Sequence, residues 1–184
     1  VGPKVDGLSR GDRVAYGNGP MGSYCQARLI PAEFIIKLPD EISFETASAM
    51  MVKGMTAQYL LRQSYRVKAD DTILIQAAAG GVGLIMVQWA KHIGATVIGT
   101  VSTSKKSELA RSYGCDHTIN YVSENLSESV RELTDGRGVD VVYDGVGKVT
   151  FEESLNSLKN RGYLIGYGNA SGNFPEFDPL ILMN

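Results

Sequence analysis

The chain has 184 residues, 43% hydrophobic and 21% charged, the composition of a soluble globular protein with length for one good core and an extra lobe. A formal net charge of -2 without a Lys/Arg stripe argues against nucleic acid as the main partner, and no apolar run approaches the ~18 residues of a membrane span. Cys25 and Cys115 stand in no CxxC or metal-type spacing, and there is no signal peptide or lipidation motif, so two reduced thiols in a cytoplasmic protein are expected.

Residues 1–40 read as short strands and turns, GDRVAYG, GSYCQARLI and EFIIKLP, punctuated by glycine and proline. Ser43 is placed to cap a helix over FETASAMM, and apolar spacing predicts a second helix over 54–65. From residue 72 the pattern alternates strictly. Strands are expected at 72–77, 95–101, 117–121, 139–146 and 162–168, with helices at 82–93, 105–113, 124–134 and 149–159. Apolar strands separated by helices mean parallel strands covered on both faces, an α/β doubly wound sheet of five β–α alternations. Residues 169–184 read as a loop. The chain opens at Val1 without methionine and stops at Asn184 without a terminal element, so a piece of a longer protein is expected.

The most informative segment is ILIQAAAGGVG (73–83) followed by LIMVQWAKHIG. A strand runs into glycines and the glycines open a helix, the context of a dinucleotide-binding turn with spacing Ala78-x-Gly80-x-x-Gly83. Without Cβ atoms at Gly80 and Gly83, a pyrophosphate can approach the backbone and face the free N–H groups of the helix start. NAD-binding folds carry an acidic residue about 20 positions further on, for the ribose 2′-OH. Here the second strand ends in Val101-Ser102-Thr103-Ser104-Lys105-Lys106, and no carboxylate appears before Glu108. Hydroxyls and lysines suit a 2′-phosphate, which favours NADPH over NADH; the plainer reading is that Ser104 caps a helix and the lysines are solvated. Tyr121 ends the third strand, where a packing role competes with contact to the adenosine end.

Taken together, GDRV (11–14), KGMTAQYLL (53–61), QAAAGGVG (76–83), HTINY (117–121), VVYDGVG (141–147) and YGNASG (167–172) resemble the zeta-crystallin-like NADPH:quinone oxidoreductases of the medium-chain dehydrogenase/reductase superfamily. The resemblance is collinear over essentially the whole chain. It implies a Rossmann domain over 46–184 and, over 1–45, the remnant of a GroES-like β-rich catalytic domain. It also implies that Thr56 lies near the nicotinamide amide and that the backbone of Ala79, Gly80, Gly81 and Val82 meets the pyrophosphate. Ser102, Lys106 and Tyr121 would hold the 2′-phosphate. Gly168 and Asn169 would lie beside the nicotinamide, and the stretch from Asp144 to Val146 close to the dinucleotide.

Zinc-dependent members of that superfamily use Cys, His and Glu ligands and a loop of four cysteines. The ten residues between Val14 and Cys25 leave no room for such a loop, and His92 and His117 have no partner at ligand spacing, so no metal is expected. A quinone or activated enone is already electrophilic and accepts hydride with less help than alcohol oxidation needs, and no general acid or base is nominated from this chain. The resemblance therefore implies hydride transfer from NADPH to a quinone or enone by a homodimer. An enoyl-thioester reductase and a non-catalytic, crystallin-like NADPH-binding protein are the alternatives.

Overall fold

Residues 1–183 are described by a computed structural model, and they divide into two units, Val1–Thr56 and Ala57 onward. In the first, β1 (Val14–Ala15) pairs antiparallel with β2 (Ile36–Lys37), and most of α1 (Phe44–Tyr59) follows. Its small core is Ala15, Leu38 and Ala47, with Ile42 and Met51 against them. Arg13 ties this unit together, its guanidinium donating to the carbonyls of Pro39 (2.8 Å) and Ile42 (2.6 Å).

Two expectations for this unit need correction. GSYCQARLI forms no strand: Tyr24 and Leu29 are fully exposed, and Arg28 turns back to donate to the Pro20 carbonyl (2.7 Å) and to stack on the Tyr16 ring. A strand gains nothing without a neighbour, and this segment has none. The two helices expected over 44–65 are one, α1, which runs on into a π-helical stretch at Leu60–Ser64. Gly54 is its only breaker, and a lone glycine costs a helix only about 1 kcal/mol. Ser43 caps α1 as the sequence suggests, accepting from Thr46 N–H at 3.1 Å.

The second unit alternates β3 (Thr72–Ile75), α2 (Gly81–Ile93), β4 (Thr96–Val101), α3 (Ser104–Ser112), β5 (His117–Asn120), α4 (Leu126–Leu133), β6 (Val139–Asp144), α5 (Phe151–Asn156) and β7 (Leu158–Gly166). All five strands are parallel, in the order β5-β4-β3-β6-β7. This is the expected doubly wound Rossmann-type sheet, and the loop expected after β7 is there, closing in a 3-10 turn at Pro179–Met183.

The strand sequences explain the layering. In β3, Ile73 and Ile75 face one side, with Met86, Val87 and Ala90 of α2 and Ala110 of α3. Leu74 between them faces the other, with Ile98, Ile119 and, from α4, Leu126 and Val130. Each such fully buried aliphatic side chain contributes roughly 1.5–3 kcal/mol. β7 begins four residues earlier than its apolar pattern predicts because Leu158 pairs with Val139, and a bulge with Arg161 at φ +62° restores the register at Tyr163. α5 is correspondingly shorter than 149–159.

The chain passes from β3 through α2 to β4 on one side of β3, and later places β6 on the other. The order reverses at β3, so the crevice beyond the carboxyl ends of β3 and β6 is where an open α/β sheet takes its ligand.

Candidate functional site

At the end of β3 the backbone turns sharply. Ala77 adopts φ +53°, its carbonyl accepts from Gly80 N–H at 2.8 Å, and Leu84 N–H donates to Gly80 O (2.9 Å) as α2 begins. No side chain caps this helix, and its first N–H groups have no carbonyl within the helix to donate to. Gly83 is required by close approach. A Cβ there would lie 2.6 Å from Ala77 O and 2.7 Å from Ala78 O, against backbone that cannot move aside. Gly80 and Gly81 are exposed, while the side chains of Ala79 and Val82 pack onto the core, so all four can offer only backbone to a ligand.

The second cluster forms where β4 and β5 end. Tyr121 N–H donates to Val101 O (3.2 Å), which sets Tyr121 next to the start of the Ser102–Lys106 stretch. Lys106 Nζ donates to Ser102 Oγ at 3.0 Å, one turn up α3. The helix cap is Thr103, which accepts from Lys106 N–H at 3.3 Å, and not Ser104, whose position is already helical. Ser102 and Lys106 are thus joined at the start of α3, a helix N-terminus that favours anions, and the backbone of Tyr121 lies beside Val101; Lys106 and Tyr121 are exposed.

On the other side of β3, β6 ends at Asp144, which is fully buried. Its Oδ1 accepts from the N–H groups of Val146 (2.8 Å) and Gly147 (2.9 Å); its Oδ2 accepts from the hydroxyls of Thr150 (2.7 Å) and Ser154 (2.8 Å). The loop after β7 lies across this one. Tyr167 N–H donates to Asp144 O, Ser171 N–H to Val146 O and Lys148 N–H to Gly172 O. Gly168 passes so close that a Cβ would meet Gly145 O at 2.6 Å. Asn169 is exposed and its amide donates to Asn173 Oδ1 (2.9 Å). Burial, with Asp144 nearby, pushes the Tyr167 phenol up to about 12, so it stays protonated.

A cavity of about 440 Å³ opens at these strand ends, lined by Gln76, Ala77 and Thr100 and, of the residues singled out from the sequence, by Tyr121 and Val146 but not by Ala79–Val82, Ser102, Lys106, Gly168 or Asn169. Glu124 and Glu153 also line it, but each holds a backbone N–H, of Asn120 and Ser127 respectively. A larger recess of about 940 Å³ between α5 and the start of β7 contains none of the residues singled out from the sequence. Thr56 belongs to the first unit, on α1, with its hydroxyl engaged by Val52 O at 2.8 Å.

Sequence reading missed the polar residues beneath this cleft. Gln76, Thr100 and Ser154 are buried, Gln76 hydrogen-bonding to each of the other two, and the available signal was the presence of Gln and Thr inside otherwise apolar strands. His92 on α2 and His117 at the start of β5 are exposed, and Cys115 is buried, its thiol pushed up to about 11 by that burial and by Asp116. Among the described residues no three His, Cys, Asp or Glu side chains converge.

A family profile described as zinc-binding dehydrogenase matches residues 81–184. The chain is 54% identical over 174 residues to a 2-haloacrylate reductase from Burkholderia sp, and 47% identical over 172 residues to quinone oxidoreductase 1 from Escherichia coli K12. Both alignments cover 94% of this chain, but 52% and 53% of those proteins, so the chain spans about half the length of the curated relatives it matches. The crystal structure of Escherichia coli quinone oxidoreductase complexed with NADPH superposes with a TM-score of 0.96 at 45% identity, over 100% of this chain and 56% of that one.

Proposed function

The chain belongs to the zinc-binding dehydrogenase family of the medium-chain dehydrogenase/reductase superfamily, and from that premise we propose that the full-length protein is an NADPH-dependent, zinc-independent quinone oxidoreductase. One observation carries the reading: Lys106 donates to Ser102 after β4, the strand next to the one that ends in the glycine turn, Tyr121 ends the following strand, and no acidic side chain stands in the Ser102–Lys106 stretch.

The donor set fits NADPH. The N–H groups at the start of α2, of Gly81 and Val82, would receive the pyrophosphate, which the missing Cβ of Gly80 lets approach, and Lys106 with the hydroxyls of Ser102 and Tyr121 would receive the 2′-phosphate. Val146, Gly168 and Asn169 are proposed to flank the nicotinamide half, with Thr56 at its amide. When bound, NADPH supplies a hydride from C4 of its nicotinamide. What the chain's own residues supply is position and exclusion of water: a backbone cradle at one end, and two interlocked loops at the other. Zinc independence is part of this proposal: Cys25 belongs to the first unit, Cys115 is buried in the second, and the two histidines lie exposed on different elements. No helix among the described residues is long and apolar enough to cross a membrane, and a cytoplasmic homodimer is part of this proposal. So is the division into a catalytic-domain remnant over 1–45 and a nucleotide domain over 46–184.

A second substrate reading has specific support. The relative at 54% identity is named for a 2-haloacrylate, an activated alkene, which favours enone-type acceptors alongside quinones. Titration of the full-length protein with NADPH and NADH side by side tests the cofactor, and we expect NADPH to bind at least about tenfold tighter. Equal affinity, or preference for NADH, overturns the reading. Following NADPH absorbance with a quinone and with a 2-haloacrylate then separates the acceptors; binding without turnover of either identifies a non-catalytic protein.

A further inference from the structure

Beneath the cleft a single string of hydrogen bonds joins the glycine turn to the Asp144 loop, and its direction is fixed at both ends. Ala77 N–H can only donate, and it donates to Thr100 Oγ1 at 3.0 Å. The Thr100 proton must then pass onward, to Gln76 Oε1 at 2.7 Å. At the far end the Asp144 carboxylate can only accept, and it takes the Ser154 proton at 2.8 Å. Ser154 Oγ therefore presents a lone pair, which receives Gln76 Nε2–H at 2.8 Å. Gln76 sits in the middle and is 1% exposed. Only a side chain with an acceptor and a donor side by side satisfies both neighbours, so the amide cannot flip without leaving two buried mismatches.

We propose that Gln76 is a positioning residue that sets both halves of the dinucleotide cleft through this string. On one side it orients the Thr100 hydroxyl so that Ala77 is held in its left-handed conformation, which aims the Ala79–Val82 backbone. On the other it directs the Ser154 proton to Asp144 Oδ2, leaving Oδ1 to hold the N–H groups of Val146 and Gly147. The inference rests on the cofactor reading above and adds a buried residue in the wall of the 440 Å³ cavity that acts through Thr100 and Ser154.

Gln76→Glu is nearly isosteric but, when ionised, has acceptors on both sides, so it opposes Ser154 and competes with Asp144 for its proton. Protonation of the new carboxyl restores the donor. Calorimetric titration of full-length wild type and Gln76→Glu with NADP+, from about pH 8.5 down to about pH 5.5, reads this as a ratio of affinities. We expect the variant to bind at least about tenfold more weakly at the alkaline end and to approach wild type at the acid end. A ratio that stays flat, or no loss at all, overturns the proposal while leaving the cofactor reading intact. Wild type that fails to bind NADP+ overturns both. Should Gln76→Glu not fold, Thr100→Ser and Thr100→Val give the same test: serine keeps the hydroxyl and is expected within about threefold of wild type, valine to lose about tenfold, and equal affinities refute the proposal.

Discussion

Gly83 and Ala77 belong to one turn, and both positions disfavour a side chain, Gly83 through close approach and Ala77 through its left-handed backbone. Gly83→Ala forces a methyl group onto two backbone carbonyls, and we expect a loss of about 1–3 kcal/mol in urea unfolding together with loss of NADPH binding. Ala77→Gly removes the strain of a left-handed alanine, about 1 kcal/mol, but gives the unfolded chain a comparable freedom, so the same measurement should register a change below about 1 kcal/mol. Lys106→Glu places a carboxylate beside Ser102 at the proposed 2′-phosphate site. It should weaken NADPH by at least about tenfold and leave NADH nearly unaffected; equal losses would remove the assignment. Gly83 and Lys106 were legible in the sequence because each is marked by residue type within a local motif, whereas nothing in the sequence marked Ala77 as left-handed. Gln76, Thr100 and Ser154 were not legible, since their meaning lies in partners that come together only when β3, β4 and α5 meet.

Strands and helices of the second unit were readable because each is one period of an apolar pattern, and their order followed from the alternation. Their ends were set by chemistry that periodicity does not carry. α4 starts at Leu126 because Asn125 Oδ1 accepts from Glu128 N–H at 3.1 Å, and β7 starts early because of a bulge. The short strands of the first unit were overcalled, because β-branched and aromatic residues promise a strand only where a partner exists. One device that ties elements together is Asp140 on β6. It accepts Thr72 N–H of β3 at 2.8 Å, is bound by Lys159 of β7, and lies 3.5 Å from Arg137. Burial pushes its carboxyl up, but Lys159, the Thr72 N–H and Arg137 outweigh that and hold it below the usual value of 3.8. A depressed carboxyl stabilises the fold at pH above its unfolded value, and that contribution disappears as pH falls through the folded one. Asp140→Asn should therefore cost about 1–3 kcal/mol at neutral pH, with the gap to wild type closing in unfolding curves taken near about pH 3. A gap that persists in acid would show that the ion pairs are not its source.

For the whole molecule, the proposed homodimer predicts sedimentation of the full-length protein at twice its chain mass across a broad concentration range, and a monomer at high concentration would refute it. The two thiols offer a different view of the intact protein. Cys25 is exposed in the first unit, whereas Cys115 is buried in the second, its sulfur donating to His117 O at 3.0 Å and its ionisation suppressed by burial. An alkylating reagent followed by peptide mass mapping should accordingly mark Cys25 from the outset and reach Cys115 only when strands β4 and β5 part. The molecule carries its own clock for opening of the second unit, and a coenzyme held tightly at the proposed site should slow that clock without touching the first mark.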